Sequence, residues 1–204
     1  MADDRPQIYL ITPPQIELSS FPDMLARVLD AEAVACARLD LATRDEDTIL
    51  RAADAVRAVT EPRDVALVLR DHWELSQRAG LDGVHLADGA RNVRAARKAL
   101  GGDAIVGAFC GNTRHDAITA GEAGADYITF GPLGGAGAGA EVLADPDLFA
   151  WWSEVIELPV VAEGGLVEET IASLSEITDF ISLGDEIWRH DDPAGRLSEL
   201  AALL

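Results

Sequence analysis

The chain has 204 residues, 49% of them hydrophobic, which suits one domain over residues 1–204 with a sizeable buried core. Its 16 basic and 36 acidic side chains give a net charge of −20, which argues against a nucleic-acid partner and an anionic membrane surface. No apolar run reaches the roughly 18 residues of a membrane span, and the polar start from Met1 to Pro6 lacks the pattern of a secretory signal, so a cytoplasmic protein is expected.

The first predicted strand is the apolar run 8–11, followed by 34–39. Thr43 and Glu46 then have capping-box spacing, and Ile49, Ala53 and Val56 follow at helical period. Strands are predicted at 65–69 and 83–86, and Asn92 opens a helix that sets Val93, Ala96 and Leu100 on one face. Further strands fall at 105–109 and 127–130. A glycine-rich stretch, GPLGGAGAGA at 131–140, comes next and is too short for an interdomain linker. The last strands are 160–162 and 180–183, with Val167, Ile171 and Leu174 as a helical stripe between them. Asp192 and Pro193 read as N-cap and first helical residue, and Leu197, Leu200, Ala201 and Leu204 give that final helix its buried face.

Several of the eight runs are apolar on both alternating faces, as strands of a covered parallel sheet are. Eight strands alternating with helices favour a closed parallel (β/α)8 TIM barrel over a doubly wound open sheet, which normally has fewer strands. In such a barrel the active site forms on the loops after the strands. Cys36 and Cys110, the only cysteines, sit in or just after apolar runs and read as free buried thiols. Lys98 is the sole lysine, and it falls on the fourth predicted helix, away from the strand ends.

Three segments at predicted strand ends carry a resemblance: DGVHLADG (82–89), GADYITFGP (124–132) and PVVAEGGL (159–166). They resemble thiamine phosphate synthase and its thiazole tautomerase relatives, whose corresponding stretches read roughly GVHLGQ, GADYIGFGP and PVVAIGG. The opening IYLIT and the closing EIWRHDDP extend the resemblance over nearly the whole chain. It implies coupling of an aminomethylpyrimidine diphosphate to a thiazole phosphate, releasing pyrophosphate with the help of Mg2+. Cationic side chains and a carboxylate-held metal must then stabilise the leaving oxygens, and backbone N–H groups must hold the second phosphate.

Carried over residue by residue, the resemblance implies the following roles. Arg38 matches the arginine of a Gln-x-Arg-x-Lys diphosphate grip, with Cys36 and Asp40 in place of its neighbours; a structural ion pair between Arg38 and Asp40 is the alternative. Asp71 matches a magnesium ligand, with Asp88 as its candidate partner, and Arg70 before it is an added cation that could serve phosphate or pair with Asp71. His85 stands in GVHL as in the family, either as a catalytic or pocket-lining group or as a hydrogen-bonded core residue. Gly164 and Gly165 match a phosphate-binding pair, and Gly184 at the end of the eighth strand is a further phosphate-binding candidate, where Asp185 and Glu186 would interfere electrostatically unless turned away. The Thr-rich stretch and lysine of the family's sixth loop are replaced by glycines and alanines.

Three readings follow: a divergent synthase, a thiazole phosphate tautomerase or isomerase, and a non-catalytic member that binds a phosphorylated ligand. The tautomerase would need polar groups after the fifth strand, where Cys110, Asn112, Thr113 and His115 are the candidates. A phosphorylated small molecule is the expected partner, and a homodimer is a candidate assembly.

Overall fold

The computed structural model describes residues 5–134 and 143–204. Eight strands form its centre: β1 (Gln7–Ile11), β2 (Val34–Leu39), β3 (Ala66–Arg70), β4 (Gly83–Leu86), β5 (Ile105–Phe109), β6 (Tyr127–Phe130), β7 (Val160–Ala162) and β8 (Phe180–Leu183). Each pairs in parallel with the next, and β8 pairs with β1, so the sheet closes into a (β/α)8 TIM barrel. The helices are α1 (Phe21–Ala31), α2 (Glu46–Thr60), α3 (Trp73–Ala79), α4 (Val93–Leu100), α5 (Arg114–Glu122), α6 (Pro146–Val155), α7 (Glu168–Leu174), α8 (Asp185–Trp188) and α9 (Pro193–Ala201). Part of the glycine-rich stretch, 135–140, and Glu141 after it lie outside the described residues.

Alternation along the strands explains why both faces are apolar. Ile8, Leu10, Ala37, Leu39, Val84 and Ile128 belong to the core between strands and helices. Tyr9, Cys36, Val68, Tyr127 and Val161 form a second cluster that fills the barrel. Glycine makes room for the largest of these: a Cβ on Gly107 would lie 2.0 Å from the Tyr127 ring. Three aspartates fasten the opposite end. Asp82, Asp126 and Asp179 stand directly before β4, β6 and β8, and accept from the N–H groups of Leu67, Val106 and Val160 at 2.7, 2.7 and 2.8 Å. Each side chain thus satisfies a backbone donor near the start of the preceding strand.

The helix ends refine the sequence reading. Asp45, not Thr43, caps α2, accepting from the Thr48 N–H at 2.9 Å, while Thr43 accepts from the Asp45 N–H. An aspartate directly before the first helical residue reaches the free N–H groups with less chain than a threonine two places earlier. Val167 is the exposed N-cap of α7, so only Ile171 and Leu174 of that stripe are buried. Asp192 caps α9 as expected, accepting from the Gly195 N–H.

Candidate active site

Arg38, Asp71, His85 and Gly165 all lie at the C-terminal ends of their strands, at one mouth of the barrel. Arg38, on β2, points inward and is 4% exposed. Both ends of its guanidinium are taken by Glu163, just after β7, at 3.0 and 2.6 Å. Its Nη2 also lies 3.0 Å from Asp40. Asp40 in turn accepts from Arg70 at 2.8 Å, and the Nε of Arg70 lies 3.4 Å from Asp71. Glu163, Arg38, Asp40, Arg70 and Asp71 therefore form one arc of charge from β7 across β2 to β3. With three carboxylates against two guanidinium groups, the arc is net negative.

The ion pair between Arg38 and Asp40 is present, but Glu163 makes the stronger, two-pronged contact. Glu163 is the residue that the sequence reading missed. Its signal was available: glutamate follows PVVA where the family has isoleucine, at the same parity as the inward-facing Val161. A carboxylate aimed into a barrel needs a cation, and Arg38 is the buried one.

Beneath the arc lies a neutral hydrogen-bonded chain. The Tyr9 and Tyr127 hydroxyls are 2.8 Å apart, and the Tyr127 hydroxyl is 3.0 Å from Nδ1 of His85. The His85 and Tyr127 rings stack with centroids 5.8 Å apart, and the Arg38 guanidinium sits 5.9 Å from the Tyr9 ring centroid. Burial raises the ionisation of both tyrosines well above the usual phenol range. Burial first, then the charges of Arg38 and Arg70, hold the His85 imidazole well below 6.5. His85 is thus neutral and 1% exposed, in the floor of the mouth.

A stability effect follows from that neutrality. Below about pH 6.5 the unfolded chain binds a proton at His85 that the native chain does not, so stability falls with pH at up to about 1.4 kcal/mol per unit from this group. The stability gap between the wild type and His85→Gln is therefore expected to narrow between about pH 7 and pH 5 in urea titrations. A gap that stays constant would mean that His85 protonates as freely in the native state.

Asp71 and Asp88 each line a cavity at this end of the barrel. Asp71 lines one of about 220 Å³ with Thr43, Arg44, Arg70 and His72, between the loops after β2 and β3. Asp88 lines one of about 390 Å³ with Arg91, Cys110 and Asn112, between the loops after β4 and β5. Asp71 adopts a left-handed φ of 62° and accepts from the Ala87 N–H at 2.7 Å; Asp88 accepts from Asn92. Among the described residues no group of three or more His, Cys, Asp or Glu side chains is arranged to hold a metal.

In the loop after β7, Gly164 and Gly165 adopt positive φ of 89° and 69°, a backbone open to glycine. Gly184 at the end of β8 faces the same region, because its N–H and that of Leu166 converge on one carboxylate, that of Glu186. Asp185 instead turns outward to Arg189.

A family model described as thiamine monophosphate synthase matches residues 8–186, a span that takes in all of the eight strands except Gln7 and every residue named at the mouth. The chain belongs to this family. A thiamine-phosphate synthase of Rhodospirillum centenum is 41% identical, covering 98% of this chain and 96% of that protein. One of Hyphomonas neptunium is 37% identical, covering 98% and 94%. A solved thiamine phosphate pyrophosphorylase of Pyrococcus furiosus superposes with a TM-score of 0.82 at 20% identity, covering 97% of this chain and 94% of that one, and so shares its fold.

Of the groups after β5, three have structural settings of their own. Burial pushes the Cys110 thiol up to about 12, Thr113 caps α5 through Asp116, and His115 is exposed on that helix. The other cysteine, Cys36, is likewise free and buried, its thiol pushed by burial to about 12.

Proposed function

We propose that this chain couples an aminomethylpyrimidine diphosphate to a thiazole phosphate, forming thiamine phosphate and pyrophosphate, and that it does so slowly. The carrying observation is the full-length match to thiamine-phosphate synthases, with the inherited arginine, aspartate and glycine pair at one barrel mouth. In this reading Arg38 and Arg70 face the diphosphate, His85 and the tyrosines below it form a neutral floor, and Gly164, Gly165 and Gly184 receive the thiazole phosphate. The relatives that match over nearly the whole chain are synthases, which supports the synthase over the tautomerase.

Slowness follows from the charge arc. Arg38 has its fork occupied by Glu163, so a departing diphosphate must compete with that carboxylate. Losing one transition-state donor costs roughly 10²–10³ in rate. A steady-state coupling assay with both substrates and magnesium decides the matter. Turnover well below the ordinary enzymatic ~1–10 s⁻¹ is expected. No turnover, with the thiazole phosphate still bound, would favour a non-catalytic binding protein, and neither turnover nor binding would refute the reading altogether.

Magnesium belongs to this reading as an ion carried with the diphosphate. One or two carboxylates plus phosphate oxygens is a common magnesium environment; Asp71 offers a hard oxygen at the mouth, and Asp88 lies over the neighbouring cavity. The ion would supply charge neutralisation to the leaving group. Asp71→Asn is expected to remove the magnesium dependence of pyrophosphate binding, measured by titration calorimetry. If the dependence survives, Asp71 is not the metal contact. A cytoplasmic location and a homodimer complete the proposal.

A further inference from the structure

The cradle at the ends of β7 and β8 already holds an anion, and that anion belongs to the chain. Oε1 of Glu186 accepts from the Leu166 N–H at 3.1 Å, and Oε2 accepts from the Gly184 N–H at 2.9 Å. The two donors come from different strand ends, so one carboxylate bridges them as two oxygens of a phosphate would. Its backbone is anchored: Ile187 is buried, and the Trp188 indole donates to the Ile11 carbonyl at 2.6 Å. No cation balances it among the described residues, since Arg189 pairs with Asp185 and Arg38 with Glu163.

We infer that Glu186 is the resident occupant of the phosphate cradle and sets its selectivity: a phosphate monoester enters only by displacing this carboxylate. The inference rests on reading the cradle as the phosphate subsite. Displacement costs two charge-assisted hydrogen bonds, and the freed carboxylate then stands beside a dianion. Inorganic phosphate, with nothing else to bind, is therefore excluded, whereas a phosphate carried on a larger ligand can draw on contacts elsewhere in the mouth. The device selects for the complete substrate over free phosphate.

Calorimetric titration of the full chain with inorganic phosphate tests this without any turnover. Glu186→Ala is expected to bind phosphate at least roughly tenfold more tightly than wild type, the loss of one competing charged contact. Glu186→Gln, which keeps the shape and removes the charge, should show a smaller gain and decides the question if the alanine variant does not fold. In the tighter variant the Leu166 and Gly184 amide resonances should move as phosphate is added. Unchanged or weaker binding in the folded variants, or a gain with those two amides unmoved, overturns the inference. A wild type without synthase activity leaves it standing. An active enzyme whose variants gain no phosphate affinity removes it and leaves the proposed function intact.

Discussion

Replacing Glu163 with isoleucine, the residue found in the family, is expected to lower stability by roughly 2–4 kcal/mol and at the same time to tighten binding of pyrophosphate. Arg38 is almost wholly buried and spends both ends of its fork on Glu163. Breaking a buried pair by removing one partner ordinarily costs about 3–5 kcal/mol, because a desolvated charge is left behind. Here Asp40 stays within 3.0 Å of Nη2 and absorbs part of that penalty. The same loss of charge turns the arc from net negative to neutral and frees Arg38 for an incoming anion. Urea unfolding and calorimetric titration with magnesium pyrophosphate check the two halves separately. Replacing both partners, Arg38→Met with Glu163→Ile, should recover much of the stability, since apolar groups of similar volume often replace a buried pair without net loss. The double variant should still fail to bind pyrophosphate. If Glu163→Ile is as stable as the wild type and binds no better, Glu163 does not restrain Arg38.

The barrel was legible because each strand repeats the same requirement. Both faces of a strand in a closed, helix-covered sheet must be apolar, and six of the eight runs match the observed strands end to end, as at 105–109 and 180–183. The third run is displaced by one residue: Val65 is apolar and buried but precedes β3, which continues to Arg70. Periodicity could not detect that extension, since a charged residue at a barrel mouth breaks the apolar pattern without ending the strand. The helix cap at Asp45 was obscured by the hydroxyl-to-acid spacing of Thr43 and Glu46 around it.

The candidate site was legible where one residue suffices and illegible where two distant ones combine. Arg38 and the glycine pair stand out locally, and their strand-end positions follow from the fold. The pairing of Arg38 with Glu163 joins residues 125 apart, and only closure of the barrel brings them together. Glu186 posed a different problem. Its charge near the glycines was plain from sequence, but whether it would point into the cradle or away depended on how α8 is anchored to β1 through Trp188.

Tyr127→Phe is expected to cost roughly 2–4 kcal/mol, although it removes a single oxygen. The Tyr127 hydroxyl is the middle of the buried chain, 2.8 Å from the Tyr9 hydroxyl and 3.0 Å from His85 Nδ1. All three side chains are buried, so no solvent replaces the lost partner. Each stranded polar group costs about 1–3 kcal/mol, and here two are stranded at once. Tyr9→Phe leaves Tyr127 its bond to His85, so neither remaining group loses its last partner in the chain, and it should cost no more than about half as much. Adding Tyr9→Phe to Tyr127→Phe should then cost little, because the Tyr9 hydroxyl has already lost its partner; the two losses are strongly non-additive. Urea unfolding of the three variants checks the ordering. Equal costs for the two single changes, with a simple sum in the double, would mean that the three groups do not act as one hydrogen-bonded chain. The chain also has a consequence for the mouth above it. Arg38 rests over the Tyr9 ring, so a loosened Tyr127 floor removes support from the residue assigned to grip the diphosphate, and pyrophosphate affinity in Tyr127→Phe should fall even though the hydrogen bonds of Tyr127 go to Tyr9 and His85 and not to the arc of charge.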